Sequence, residues 1–237
     1  MKTNRIFYSA IILGIGTCSL PHTLMAQSQP HIILIVSDQH RGDALNCMGN
    51  PSVITPNLDA LAQDGTLFTN GYSSTPSSTP ARSGLLTGLS PWHHGMLGYG
   101  RVGSQYRYEM PQMLRDLSYF TFGIGKMHWF PQKALHGFHG TLVDESGRVE
   151  TKDFISDYRL WFQMQAPGIN PDSTGIGWND HGATEYKLPE ELHPTAWTGE
   201  MGAAASSFFV NSLTSSTRTL SGFAPMLISM MSPSLTS

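Results

Sequence analysis

Five consecutive apolar residues, Ile32-Ile33-Leu34-Ile35-Val36, run straight into Ser37-Asp38-Gln39-His40. A strand that is apolar on both faces has to be covered on both, so the run predicts a buried strand of a parallel sheet. Parallel strands need crossover connections, usually helical, and the following sequence supplies them. Thr55-Pro56 opens a helix with a capping hydroxyl and Pro at its first position; Leu58, Leu61 and Ala62 form its apolar stripe, and Gly65 closes it. Thr66 to Tyr72 reads as a strand. Ser77-Ser78-Thr79-Pro80 then leads into a helix over Ala81 to Thr87, stopped by Gly88. Met110 to Leu117 is helical, with Met110, Met113, Leu114 and Leu117 on one face, and Tyr119 to Ile124 is a strand leading to Gly125-Lys126-Met127-His128. This alternation predicts an α/β fold with a mostly parallel sheet flanked by helices. Ligands in such folds bind at the carboxyl ends of strands, where Asp38 and the Lys126/His128 pair fall.

The ends of the chain read differently. Lys2 and Arg5, the apolar or small stretch Ile6 to Leu20, and Leu24-Met25-Ala26 before polar Gln27 have the layout of a signal peptide, residues 1–26, cleaved after Ala26. The apolar run is shorter than the roughly 18 to 20 residues of a membrane span, so the expectation is a periplasmic or secreted protein without one. Cys18 offers a lipoprotein cleavage site as the other option. Its removal leaves Cys47 alone and the mature chain without an internal disulfide. From about Thr141 the pattern loosens, with Trp161, Trp178 and Trp197 spread among Gly, Pro, Asn and Asp; this predicts a loop-rich, substrate-facing excursion. Residues 203–237 hold ten Ser and a single charged side chain, Arg218, with no consistent helix or strand period. The expectation is a core unit over 27–202 and an aberrant tail, the chain having left its reading frame near Met201. A net charge of −3 without a basic cluster argues against a nucleic-acid partner.

The chemistry-bearing residues gather in three places. Pro80 in the first helical turn puts Ser78 at a helix N-terminus, where free N–H groups and the dipole favour a sulfate or phosphate anion. Asp38 and Gln39 offer hard oxygen ligands suited to Ca²⁺ or Mg²⁺, though Gln39 fits a plain polar strand end equally well. Lys126 and His128 alternate along an extended backbone and can share one face, Lys126 for an anion and His128 for a proton. His40, Arg41 and Asp43 are expected to be structural or to support the metal strand, and His93 and His94 to lie at the surface or substrate rim.

Ser78-Thr79-Pro80-Ala81-Arg82, followed by Ser83-Gly84-Leu85-Leu86-Thr87-Gly88, resembles the signature of formylglycine-dependent sulfatases of the alkaline-phosphatase-like superfamily. Ser37-Asp38-Gln39 is similar to the family's metal-binding strand end and Gly125-Lys126-Met127-His128 to its Gly-Lys-x-His. The resemblance covers Pro30 to about Phe138. It implies hydrolysis of a sulfate ester, on a carbohydrate, with Ser78 oxidised to formylglycine by a maturase. A hydrated aldehyde offers one hydroxyl to attack sulfur and a second to expel sulfate, which an unmodified Ser lacks. By the same resemblance Arg82 and Lys126 hold the nucleophile and the sulfate, His128 is the base, and Asp38, Gln39 and Ser78 meet Ca²⁺, with Mg²⁺ the other hard cation. Asn179-Asp180-His181-Gly182 looks like a second metal motif but has no buried strand before it, and is read as a decoy. Relatives are about twice as long, and the second pair of metal ligands comes from the part not matched. Two alternatives follow: a non-catalytic truncated sulfatase fragment, and a phosphonate or phosphate monoester hydrolase.

Overall fold

The computed structural model describes residues 29–148, 150–178, 180, 184–215 and 224–231; residues 1–26, expected to be a signal peptide, with Cys18, and His181 lie outside them. The first apolar run forms β1 (Ile32–Ser37). It is followed by α1 (Pro56–Asp64), α2 (Ser78–Thr87), α3 (Pro91–His94), α4 (Met110–Asp116) and β2 (Tyr119–Gly125). The chain continues through β3 (Gly140–Val143), α5 (Asp157–Gln165), α6 (Pro194–Ser215) and β4 (Ala224–Met231). The four strands are all parallel, in the order β1-β4-β2-β3.

Register explains how the two faces are covered. Ile32, Leu34 and Val36 of β1 lie level with Thr121, Gly123 and Gly125 of β2 through the intervening β4. On this face Ile32, Leu34 and Val36 pack against a core of Leu86, Val102, Tyr119, Met127, Trp129 and Phe138, with Leu85 from α2 and Met110 and Leu114 from α4. On the opposite face Ile124 is level with Leu142, and Leu142 packs against Tyr158, Phe162, Leu192 and Trp197, carried by α5, α6 and the turn between them. Burying each large apolar side chain in these clusters stabilises the fold by about 1.5–3 kcal/mol relative to leaving it in water.

Several expectations are corrected. Thr66 to Tyr72 has β propensity but forms no strand; Phe68 is 80% exposed, and β propensity needs neighbouring strands and a covered face to be realised. The stretch after Thr141 is not purely loop. Ser156 caps α5 by accepting the Arg159 N–H at 3.3 Å, and Trp197, 1% exposed, anchors α6 edge-on against Tyr158. The Tyr158 hydroxyl donates to the Leu192 carbonyl at 2.7 Å, tying α5 to the turn before α6. Residues 203–215 continue α6, and 224–231 form β4 between β1 and β2, so part of the Ser-rich stretch contributes backbone to the middle of the sheet. The helices at 56–64 and 110–116 form as expected, but Leu58, Leu61, Met113 and Leu117 of the anticipated stripes are exposed. Among the described residues no helix is long and apolar enough to cross a membrane.

Candidate active site

Three local structures deliver the site. Asp38 follows the last residue of β1. Gly125 closes β2 with φ +96°, a left-handed turn that glycine adopts without cost, and hands the chain to Lys126 and His128. Ser77 is extended, Ser78 opens α2, and Gly88 ends the helix with φ +70°, its N–H donating to the Gly84 carbonyl at 2.8 Å. The signature Ser and Arg are four apart and so lie on one side of α2.

These elements converge on Ser78. Its Oγ lies 2.9 Å from His128 Nδ1 and accepts from Arg82 Nε at 3.0 Å. Arg82 also donates through Nη2 to Asp38 Oδ1 at 2.9 Å and through Nη1 to the Lys126 carbonyl at 2.5 Å. Lys126 Nζ donates to Asp38 Oδ2 at 2.5 Å. Arg82 is therefore a hub joining the ends of β1 and β2 to the start of α2. Lys126 and His128 do meet one site, though by a turn and not by strand alternation: His128 has φ +62°.

The electrostatics follow from burial and crowded cations. Burial, then Arg148, Lys126 and Arg82, push His128 down to about 3, with Asp38 pulling only weakly the other way. A neutral His128 can accept the Ser78 proton at Nδ1, which leaves the ring proton on Nε2, 3.4 Å from the Tyr99 hydroxyl. Burial opposes the ionised Asp38, but the Lys126 and Arg82 contacts outweigh it and hold the carboxyl below its usual range. Burial lowers Lys126, only partly offset by Asp38.

Glu145 was not anticipated. It is fully buried just past β3, and its Oε1 accepts the Met127 N–H at 3.0 Å and the His128 N–H at 2.7 Å. Its other oxygen pairs with Arg148 at 2.6 Å. Tyr99, edge-on to His128 with ring centroids 5.7 Å apart, was also missed. The sequence signal for Glu145 is its place after Thr141-Leu142-Val143, a strand too short to stand out by periodicity.

Gln39 makes none of these contacts; it is exposed, with φ +54°. The oxygen donors expected for calcium, Asp38, Gln39 and Ser78, have the right chemistry for a hard cation. They do not fit one here: the single carboxylate is shared by two cationic side chains, and Ca²⁺ needs six to eight oxygens with compensating charge. Among the described residues no group of three or more His, Cys, Asp or Glu could hold a metal. Asp180 accepts the Gly177 N–H at 2.9 Å and so closes a local turn. Arg41 and Asp43 pair with each other at the surface, Ser37 Oγ lies 3.4 Å from His40 Nδ1, and Ser90 Oγ lies 2.7 Å from His93 Nδ1. His94 accepts the Met96 N–H at 3.2 Å.

A parallel sheet flanked by helices is the alkaline-phosphatase-like fold, and solved structures share it. A phosphonate monoester hydrolase of Agrobacterium radiobacter superposes with TM-score 0.60 at 23% identity, over 85% of this chain and 41% of that one. A protein solved in complex with its substrate D-glucosamine-2-N,6-O-disulfate superposes with TM-score 0.54 at 20% identity, over 86% of this chain and 34% of that one.

Sequence comparison narrows the class. The Sulfatase family model matches residues 30–159, and the chain belongs to the sulfatase family, whose members are sulfuric ester hydrolases. An arylsulfatase of Clostridium perfringens is 36% identical over 183 residues, covering 71% of this chain and 38% of that enzyme. An N-acetylgalactosamine-6-O-sulfatase of Bacteroides thetaiotaomicron is 38% identical over 105 residues, 42% of this chain and 20% of the enzyme. The chain thus spans well under half the length of the relatives it matches.

Proposed function

We propose that this chain carries the nucleophile half of a sulfatase active site, acting on a sulfate ester of a carbohydrate in the periplasm or outside the cell. The observation that carries the reading is the convergence of Ser78, Arg82, Lys126 and His128 from three separate segments, with Ser78 Oγ between Arg82 Nε and His128 Nδ1. A maturase oxidises Ser78 to the formylglycine aldehyde, and addition of water gives a hydrate with two hydroxyls. One attacks sulfur, the bond from sulfur to the sugar oxygen breaking as the new one forms; the attacking hydroxyl releases its proton to solvent and the sugar oxygen takes one up to leave as the alcohol. The second loses its proton to neutral His128, and the carbon–oxygen bond to sulfate breaks, releasing sulfate and restoring the aldehyde. Arg82 holds the nucleophile, and the Lys126 ammonium, which donates to Asp38, divides its three N–H donors between that carboxylate and sulfate oxygens. Calcium is the cofactor the resemblance implies; binding it takes donors beyond Asp38, Gln39 and Ser78.

Sulfate esters are favoured over phosphonates because the relatives above 30% identity are named sulfatases, whereas the phosphonate hydrolase shares only the fold. The test is a hybrid in which residues 30–159 replace the corresponding segment of the Clostridium perfringens arylsulfatase, expressed with a maturase. Sulfate release from an aryl sulfate, lost in Ser78→Ala, is expected. A folded hybrid that cleaves a phosphonate monoester faster, or that keeps full turnover in Ser78→Ala, overturns the reading.

A further inference from the structure

The loop before α4 and the turn after β2 meet beside the site. Tyr99 stands edge-on to His128 with its hydroxyl 3.4 Å from Nε2. Two residues further along each segment, the Arg101 guanidinium lies over the Phe130 ring, 4.1 Å from its centroid. Both segments are rooted in the first core by a neighbouring residue, Val102 beside Arg101 and Trp129 beside Phe130. The Gly100 N–H donates to Thr79 Oγ1 at 3.2 Å, which fastens the loop to the residue after Ser78. The side chains held in this way are turned to solvent: Tyr99 and Arg101 are exposed, and Phe130 is 40% exposed. Among the described residues Arg101 pairs with no carboxylate and its N–H groups meet no acceptor, whereas Arg82 and Lys126 both donate to Asp38. Stacking on a ring uses the flat face of a guanidinium and leaves its in-plane N–H donors free for an anion; the ring also holds the fork still, so less freedom is lost when the anion arrives.

We propose that Arg101, held by Phe130 and flanked by Tyr99, is a substrate-selecting subsite that takes a second anionic group, a carboxylate or a further sulfate, carried by the same sugar as the sulfate ester. Two residues of chain span at most about 7 Å, so the step from His128 to Phe130 is on the scale of one sugar ring and its substituents. The inference rests on the sulfatase reading of Ser78 and names the substrate class for it, a doubly anionic sugar. The exposed Tyr99 ring supplies an apolar wall beside the two charges, as ligand sites that combine aromatic faces with a few placed polar groups do.

Calorimetric titration of the full chain tests it with sugar pairs that differ by one charge: glucose 2-sulfate against glucuronic acid 2-sulfate, and N-acetylglucosamine 6-sulfate against N-sulfoglucosamine 6-sulfate. The doubly charged member of at least one pair should bind about tenfold more tightly. Preference for the uronate assigns the carboxylate, and preference for the N-sulfo sugar assigns the second sulfate. Arg101→Ala should remove the preference and leave the singly charged sugars unaffected; Arg101→Lys, which keeps the charge without the planar fork, should recover only part of it. Arg107→Ala, which removes another exposed arginine lying over a ring, that of Tyr108, should change nothing. Lys126→Ala should weaken all four sugars alike. Equal affinities within both pairs, equal losses of singly and doubly charged sugars in Arg101→Ala, or the same loss of preference in Arg107→Ala overturns the subsite and leaves the reading of Ser78 in place. Binding independent of Lys126, or no binding of any of the four sugars, overturns the sulfatase-site reading and the subsite with it.

Discussion

Arg82 and Asp38, 44 residues apart, form the ion pair that ties the signature helix to the first strand, with Arg82 Nη2 2.9 Å from Asp38 Oδ1. Lys126 takes the other carboxylate oxygen. A partly buried carboxylate serving two cations is costly to remove, because both partners are left uncompensated. Asp38→Ala should destabilise the chain by about 3 kcal/mol, read as a drop in thermal midpoint, with Asp38→Asn intermediate. Gln39→Ala, outside the network, should leave the midpoint unchanged.

Glu145 should matter through backbone geometry. Glu145→Ala strands two buried N–H groups, those of Met127 and His128, at about 1–3 kcal/mol each. Glu145→Gln keeps a carbonyl acceptor and should recover most of the loss. Equal melting of the two variants would separate Glu145 from the positioning of His128.

The titration of His128 has a definite sign. Its value in the folded chain, about 3, lies below the ordinary 6.5 of an unfolded histidine. The unfolded chain therefore binds the extra proton first, so His128 withdraws stability as pH falls below about 6.5 and contributes no pH dependence above it. His128→Gln should flatten the midpoint between pH 6.5 and 4 relative to the parent. Nitrogen chemical shifts should show a neutral ring protonated at Nε2 at pH 7, accepting from Ser78 at Nδ1.

Calcium should not bind this chain by itself with one-to-one stoichiometry. The described residues offer Asp38 as the only carboxylate at the site contacting Arg82 and Lys126, and Gln39 stands apart. Calorimetric titration of the full chain should show no saturable heat at micromolar to millimolar Ca²⁺. A saturable site lost in Asp38→Ala would show that the ion displaces the cationic side chains.

What the sequence made legible was local chemistry. The Ile32–Val36 run and the Pro80 start and Gly88 stop of α2 each carry their structural instruction within a few residues, so the first strand and the signature helix came out in the right places, whereas the turn at Gly125 replaced the extended backbone expected for Lys126 and His128. The missed elements depend on distant partners. β3 is four residues long and exists because β2 pairs with it; Trp197 reads as one of several scattered aromatics until Tyr158 and Phe162 surround it. Thr66 to Tyr72 failed the other way, with the right residues for a strand and no neighbour to pair with. Gln39 shows the same limit at the site, since adjacency to Asp38 did not carry it into the network.

The central claim is that Ser78 is a nucleophile made by oxidation, and mass spectrometry of the tryptic peptide ending at Arg82 tests it most directly. With an anaerobic-type maturase co-expressed, Ser78 should lose about two mass units, the pair of hydrogens removed in forming the aldehyde. A peptide carrying unaltered Ser78, while the same maturase converts a control sulfatase in the same cells, would contradict it.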